Sequence, residues 1–377
     1  MNRVVISTVG TSLLTNQINR NVEDEKTWYD KLRNTAQLSQ ADTPDEVLEI
    51  IEILSHRAMH KLSESSISKI RLASAELNGI YGLYKDNVEL GKIDIHWLIA
   101  TDTAQGITTA NIVENFLKQQ GIVNANVYKP KGLSTATTQT FAEGIDDLRD
   151  WLKREIEPLK SSYKIYFNLV GGFKSLQGYL NTIGMFYADE IIYIFEGKES
   201  NLITIPRLPI KIDTESLEAY KVQLALMDAG LGLSQDQVDK IPEALISDFD
   251  GKKILSTWGK LIWDESKAQL LSQALLQLPR INYADTFRAD YNKIRDVGEK
   301  YALQQDITKV SAKLIESNGD TSLLLTPFKY TRYQNSDQID HFRISRSMRV
   351  SCKAESGNLT LRYYGTHDHV ERSERLR

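Results

Sequence analysis

The chain has 377 residues, 41% of them hydrophobic and 25% charged, with a formal net charge of −4 and one cysteine, Cys352. This is the composition of a globular protein of two or three domains, and it excludes a disordered chain, an internal disulfide and a cysteine-rich zinc site. No apolar run approaches the ~18 residues of a membrane span, and Val4-Val5-Ile6, broken by Ser7, Thr8 and Gly10, is too short for a secretory signal, so a cytoplasmic protein is expected.

The first stretch, residues 1–207, alternates buried strands with helical patterns. Strands are predicted over Val4–Val9, Ile93–Ala100, Ala125–Tyr128, Tyr163–Val170 and Ile191–Phe195. Apolar residues recur at helical spacing over Asp45–Leu62, Ser68–Tyr84, Thr108–Gln120, Thr138–Leu159 and Ser175–Tyr187, with Gly121 placed as a C-cap. Such alternation predicts an α/β, Rossmann-like domain with a parallel sheet covered on both faces. Residues 208–278 predict helices over Thr214–Asp228, from Ser234, and over Ile241–Phe249. Asp250-Gly251 is a turn, and Lys253–Asp264 alternates enough for two short strands around Gly259. That order fits a winged helix-turn-helix. Residues 279–377 predict a helix over Ala284–Gln304, continued by Ile307–Glu316. Strands follow over Asp340–Ser345, Met348–Ala354 and Asn358–Tyr364, with Ser356-Gly357 as a turn. This last stretch is a small α+β domain with an antiparallel sheet.

Ligands of a parallel sheet bind beyond the carboxyl ends of its strands. Here those ends are small and polar: Ser7-Thr8-Val9-Gly10-Thr11-Ser12, Thr101-Asp102-Thr103, Gly132-Leu133-Ser134-Thr135, and Val170-Gly171-Gly172-Phe173-Lys174-Ser175. Glycine lets backbone N–H groups approach a phosphate, a helix N-terminus adds its dipole, and Lys174 adds a full charge. Neither dinucleotide-binding nor P-loop spacing is present. The candidate ligand-binding residues are Thr8, Gly10, Thr11, Ser12, Thr101, Thr103, Gly171, Gly172, Phe173, Lys174 and Ser175.

The pair VGTSLL (Val9–Leu14) and NLVGGFKSL (Asn168–Leu176) resembles the CARF domains, the CRISPR-associated Rossmann-fold sensors. The resemblance covers residues 1–207. It implies a homodimer that binds a cyclic oligoadenylate across its two-fold axis, cyclic tetra-adenylate first and hexa-adenylate second. On that basis Gly10, Thr11, Ser12, Thr103, Gly172, Phe173 and Lys174 map onto the ligand loops. Some members also cleave their ligand, which leaves a ring nuclease open.

The C-terminal charge is uneven. From Thr321 to Arg377 there are ten basic and six acidic residues, a net +4, and three of the six histidines. A basic, histidine-bearing segment on an acidic body fits contact with a polyanion. Arg362 with His367 or His369 satisfies an R-x(4–6)-H ribonuclease string, but that motif belongs on a helix and this segment alternates as a strand. Glu196-Gly197-Lys198 matches a metal-nuclease E-x-K, with no acidic cluster in the C-terminal stretch to hold magnesium. A ribonuclease working without a metal needs a base for the 2′-hydroxyl, cations at the phosphate and an acid for the leaving oxygen. Lys329, Arg332, His341, Arg343, Arg349, His367 and His369 are the candidate catalytic residues; no metal site and no cofactor is expected. His56, His60 and His96 are read as structural, and Arg375 and Arg377 as solvated tail.

The run from His341 to Val350, then Leu359 to Arg372, resembles the RelE/ParE toxin superfamily, over about 90 residues. RelE members cut messenger RNA in the ribosomal A site; ParE members poison gyrase. Arg343 and Arg349 match basic sheet positions of that family and His367 a basic position after the last strand. The chain departs at Met348, where a tyrosine is common, and at Glu371, near the family's terminal tyrosine. The expectation is a cyclic-oligoadenylate-activated mRNA endoribonuclease acting on the ribosome. The alternatives are a ligand-responsive transcription factor using the winged helix, and the ring nuclease.

Overall fold

The computed structural model describes residues 1–195, 201–334 and 338–375. Glu196-Gly197-Lys198, Asp337 and Arg377 therefore lie outside the described residues. The chain divides into two compact units, Met1–Ile210 and Lys211–Arg377.

The first unit is mixed α/β. Its strands are β1 (Arg3–Thr8), β2 (Ile95–Ile99), β3 (Ala125–Tyr128), β4 (Lys164–Asn168), β5 (Glu190–Ile194) and β6 (Leu202–Pro206). They form one sheet in the order β3-β2-β1-β4-β5-β6, parallel except for the antiparallel edge strand β6. β1 is apolar and wholly buried over Val4–Ile6, as a central parallel strand must be. The helices are α1 (Ser12–Thr15), α2 (Trp28–Asn34), α3 (Asp45–Glu64), α4 (Ile67–Ala73), α5 (Ala75–Leu83), α6 (Ala104–Gln119), α7 (Thr138–Trp151) and α8 (Lys174–Tyr187). This arrangement is compatible with a Rossmann-like domain. The strand order reverses between β1 and β4, so the loops after these two strands flank the crevice where such sheets bind ligands.

Three helix expectations change. The pattern over Ser68–Tyr84 is two helices, because Ser74 leaves the helical conformation to cap α5, its hydroxyl accepting from the Leu77 N–H. α6 starts earlier than expected, at Ala104, with Thr103 as its cap. The helix from Thr138 gives way after Trp151 to a π turn over Leu152–Ile156 and a 3-10 turn over Glu157–Leu159, where Pro158 cannot donate a backbone hydrogen bond.

The second unit opens with α9 (Thr214–Leu217), α10 (Lys221–Asp228) and α11 (Gln235–Val238), then the hairpin β7 (Ile246–Phe249) and β8 (Lys252–Leu255), and α12 (Thr257–Leu271). The expected helix Ile241–Phe249 is replaced by a 3-10 turn at Glu243–Leu245 and strand β7. Asp250 and Gly251 both have positive φ, which closes the two-residue hairpin. The expected strand around Gly259 is also overturned. Ser256 caps α12 by accepting the Gly259 N–H, and a Cβ on Gly259 would lie 2.0 Å from the Leu245 carbonyl, so this glycine serves close packing and not a turn.

The unit continues with β9 (Ile281–Tyr283), α13 (Asp285–Lys293), α14 (Val297–Glu316), β10 (Thr331–Arg332), β11 (Asp340–Arg343), β12 (Met348–Glu355), β13 (Asn358–Thr366) and α15 (His367–Ser373). The expected helix Ala284–Gln304 breaks at Ile294, and Asp296 caps α14. The sheet order is β10-β11-β12-β13-β9, antiparallel except that β9 runs parallel to β13. Ser356 and Gly357, both at positive φ, turn β12 into β13. The segments expected as 208–278 and 279–377 share one hydrophobic core, from Leu217 and Trp263 to Phe342 and Tyr364. Buried Gln304 ties them: its amide bonds to the Leu271 and Ala274 carbonyls and its oxygen accepts from the Leu276 N–H.

Candidate functional site

In the second unit, strand pairing sets two rows of side chains. Phe342, Val350 and Tyr364 lie side by side and are buried in the core. The alternating positions face the other way: His341 opposite Ser351 opposite Tyr363, and next to them Arg343 opposite Arg349 opposite Gly365. α15 lies against β12 and β13. At its start the His369 ring sits so close to Gly365 that a Cβ there would be 2.6 Å from it. At its end Glu374 accepts from the Ser351 hydroxyl at 2.7 Å and pairs with Arg362 at 2.9 Å.

His341 and Arg349 are 8% and 7% exposed, yet the Nδ1 of His341 and the Nε of Arg349 have no hydrogen-bond partner among the described residues. Buried polar groups are otherwise nearly always paired, so two adjacent orphans mark a place prepared for something polar. The His341 ring stacks on Tyr333, centroids 4.1 Å apart. Burial pushes the His341 ring down to about 4, and the charges of Arg349, His367 and Arg343 push the same way. It is a neutral imidazole at pH 7. Burial and Arg343 also lower Arg349, while Tyr333 and Glu371 support its charge. Burial and Glu371 push the Tyr333 phenol up to about 12. His367 is held by Glu371, Nε2 to Oε1 at 3.0 Å.

The fold therefore brings together His341, Arg343, Arg349 and His367, with Tyr333 and Glu371. It does not bring in the other candidates. Arg332 is paired with Asp340, which also accepts from the Tyr330 hydroxyl, so this cation is tied to a buried carboxylate. His369 bonds Asp290 of α13 at 3.3 Å. Lys329 is exposed, at positive φ just before β10. Arg362 is engaged by Glu374 and stands on a strand, so its string with His367 and His369 is not a helical motif. Among the described residues no group of three or more His, Cys, Asp or Glu is placed to hold a metal ion.

Tyr333, Glu371 and Glu374 were missed from the sequence. His367 and Glu371 are one turn apart, a signal that becomes readable only once Thr366 is recognised as a helix cap.

In the first unit, a cavity of about 440 Å³ opens at the carboxyl ends of β1 and β4, lined by Gly10, Thr11, Ser12, Gly171 and Gly172 among others. Behind Gly10 and Gly171 stands a residue that sequence reading missed. Glu76 of α5 is fully buried, accepts the Gly10 N–H at 2.6 Å and takes the Ser74 hydroxyl at 2.7 Å. Burial holds its carboxyl above the usual carboxylate range, and those two donors offset only part of this. A Cβ on Gly171 would lie 2.2 Å from Glu76 Oε1, and Gly172 has a φ of +91°, so both positions need glycine. An acid in the first turn of a helix looks like ordinary capping in sequence, which is why Glu76 gave no signal.

Several expected ligand groups are occupied internally. The Thr8 hydroxyl donates to the Gly171 carbonyl, Thr101 and Thr103 bond each other at 2.9 Å, and Thr103 accepts the Gly106 N–H. These three are buried and hold the loops; their hydroxyls do not face the cavity opening. Phe173 caps α8 and packs edge-on against Phe141. Lys174 and Ser175 form the first exposed turn of α8.

Residues 71–208 match the family described as CRISPR-associated protein (Cas_APE2256). This stretch holds β2 to β6 and the Gly171-Gly172 loop, and the match supports a CRISPR-associated protein. No curated protein matches the chain. No helix among the described residues is long and apolar enough to cross a membrane.

Proposed function

We propose that the chain is a homodimeric CRISPR-associated effector. Its first unit binds a cyclic oligoadenylate, cyclic tetra-adenylate before hexa-adenylate, and its second unit is an endoribonuclease that cuts mRNA on the ribosome. One observation carries the ribonuclease half: a buried, neutral histidine and a buried arginine, both with unpartnered nitrogens among the described residues, share one sheet face with a second arginine, and a carboxylate-held histidine stands at the start of α15.

In the proposed reaction the His341 imidazole takes the proton of the 2′-hydroxyl. The 2′-oxygen then attacks the adjacent phosphorus, and the bond from phosphorus to the 5′-oxygen breaks. Protonated His367, supported by Glu371, gives its proton to that leaving oxygen. The products are a 2′,3′-cyclic phosphate and a 5′-hydroxyl. Arg343 and Arg349 meet the charge that develops on the phosphoryl oxygens, and a desolvated guanidinium does this better than an exposed one. His341 is assigned the base because it is neutral at pH 7, and His367 is assigned the acid from its place beside Glu371. Arg332, Lys329 and His369 have no part in this reaction: Arg332 is engaged by Asp340 and His369 by Asp290, and Lys329 is exposed just before β10.

The test is an in vitro translation reaction with the purified protein, with and without cyclic tetra-adenylate, followed by primer extension. Ligand-dependent cuts at A-site codons are expected. They should fall roughly a hundredfold or more in His341→Ala, the size of effect a general base supplies. Intact mRNA with either ring would overturn the ribonuclease reading, and duplex DNA binding or loss of the ring itself would then point to the transcription-factor or ring-nuclease alternative.

A further inference from the structure

The cavity at the ends of β1 and β4 has a wall that the glycine loops do not make. It comes from α2. Tyr29 and Arg33 stand four residues apart, on one face of that helix, and both line the cavity opposite Gly10, Gly171 and Gly172. Between them Leu32 is buried, and its carbonyl accepts the side-chain amide of buried Gln105 at 2.7 Å. The Ala104 N–H also donates to the Leu38 carbonyl at 3.0 Å. These two bonds fasten α2 and the turn after it to the start of α6, so the wall is held in place.

The wall residues themselves are available. Tyr29 is 42% exposed, with the Arg20 guanidinium 5.5 Å from its ring centre. Among the described residues the Arg33 side chain pairs with Asp30 alone, at 3.2 Å, and that pair is exposed on both sides. Such a pair contributes little and is readily exchanged for a better anion. An aromatic face and a guanidinium one helical turn apart, facing the glycine loops, suit a nucleotide: the ring takes a base by stacking and the guanidinium takes a phosphate.

We infer that Tyr29 and Arg33 are ligand-binding residues of this cavity, Tyr29 stacking on a purine-type base and Arg33 contacting a phosphate of the same nucleotide. The inference rests on the oligoadenylate reading above and names which side chains, beyond the glycine loops, give it affinity and base preference. Both side chains are on the surface, so truncating them leaves the fold intact.

Titration calorimetry of the full chain with cyclic tetra-adenylate tests it. Tyr29→Ala and Arg33→Ala should each weaken binding roughly tenfold, the size expected for one stacked base or one charge-assisted contact. Tyr29→Phe should stay within about twofold of wild type, since it keeps the stacking face. The Arg33→Ala deficit should shrink at high salt, and the Tyr29→Ala deficit should not. If the wild type binds and both alanine variants bind equally well, the α2 wall has no part in recognition and the inference falls while the oligoadenylate reading stands. If the wild type binds neither cyclic tetra- nor hexa-adenylate, that reading fails and takes the inference with it.

Discussion

His341 gives the most direct test of the second unit, because its ring is held neutral down to about pH 4 against 6.5 for an ordinary histidine. The unfolded chain takes up this proton as pH falls through 6.5, and the folded chain does not until pH nears 4. The stability is therefore fully present above the unfolded value and is lost as pH falls between the two. From about pH 7 to about pH 5 the linkage removes roughly 2 kcal/mol. Phenylalanine at 341 keeps a ring to stack on Tyr333 and removes the titration. Urea unfolding of wild type and His341→Phe at both pH values is the assay. Wild type should lose about 2 kcal/mol more than the variant over that range. His96, buried in the first unit with its ring pushed down to about 3, titrates identically in both proteins and cancels. Equal losses in the two proteins would refute the reasoning, since His341 would then titrate as if solvated and could not be singled out as a preset neutral base.

Two further perturbations follow from the geometry. Gly171→Ala places a methyl 2.2 Å from the buried Glu76 carboxylate, so the loop must move; about 1–3 kcal/mol of stability should be lost, with loss of oligoadenylate binding, both measurable by thermal melting with and without cyclic tetra-adenylate. Glu374→Ala leaves the Ser351 hydroxyl and the Arg362 guanidinium without their acceptor and unfastens the end of α15; about 2 kcal/mol should be lost, with faster amide exchange in α15, and an unchanged exchange rate would mean that buried Val370 and the His369–Asp290 bond hold the helix without Glu374.

The sheet of the first unit was legible because central parallel strands are unbroken apolar runs: Val4–Ile6, Leu98–Ala100 and Ile165–Phe167 carry their burial in their composition. The glycine loops were legible for a related reason, since positions such as Gly171 and Gly172 tolerate nothing else. The hydroxyls beside them carry no such mark. Thr8, Thr101 and Thr103 look the same in sequence whether they face a ligand or a neighbouring carbonyl, and here they face the protein. β7 was hidden because a four-residue strand in a helical context has no period to detect. α12 was mistaken for strand because Gly259 reads as a turn until the close approach of Leu245 is known.

The sequence alone determined the alternation of strand and helix, the two hairpin turns and the basic, histidine-bearing character of the C-terminal segment. These depend on neighbours along the chain: propensity, periodicity and positive φ. Only the tertiary structure decided which cations are free to act. Strand register puts Arg343 beside Arg349 and next to His341, while Asp340 engages Arg332 and Glu374 engages Arg362. Partners from other strands and helices, and the water excluded between them, set the charge and availability of each group, and no local pattern records either.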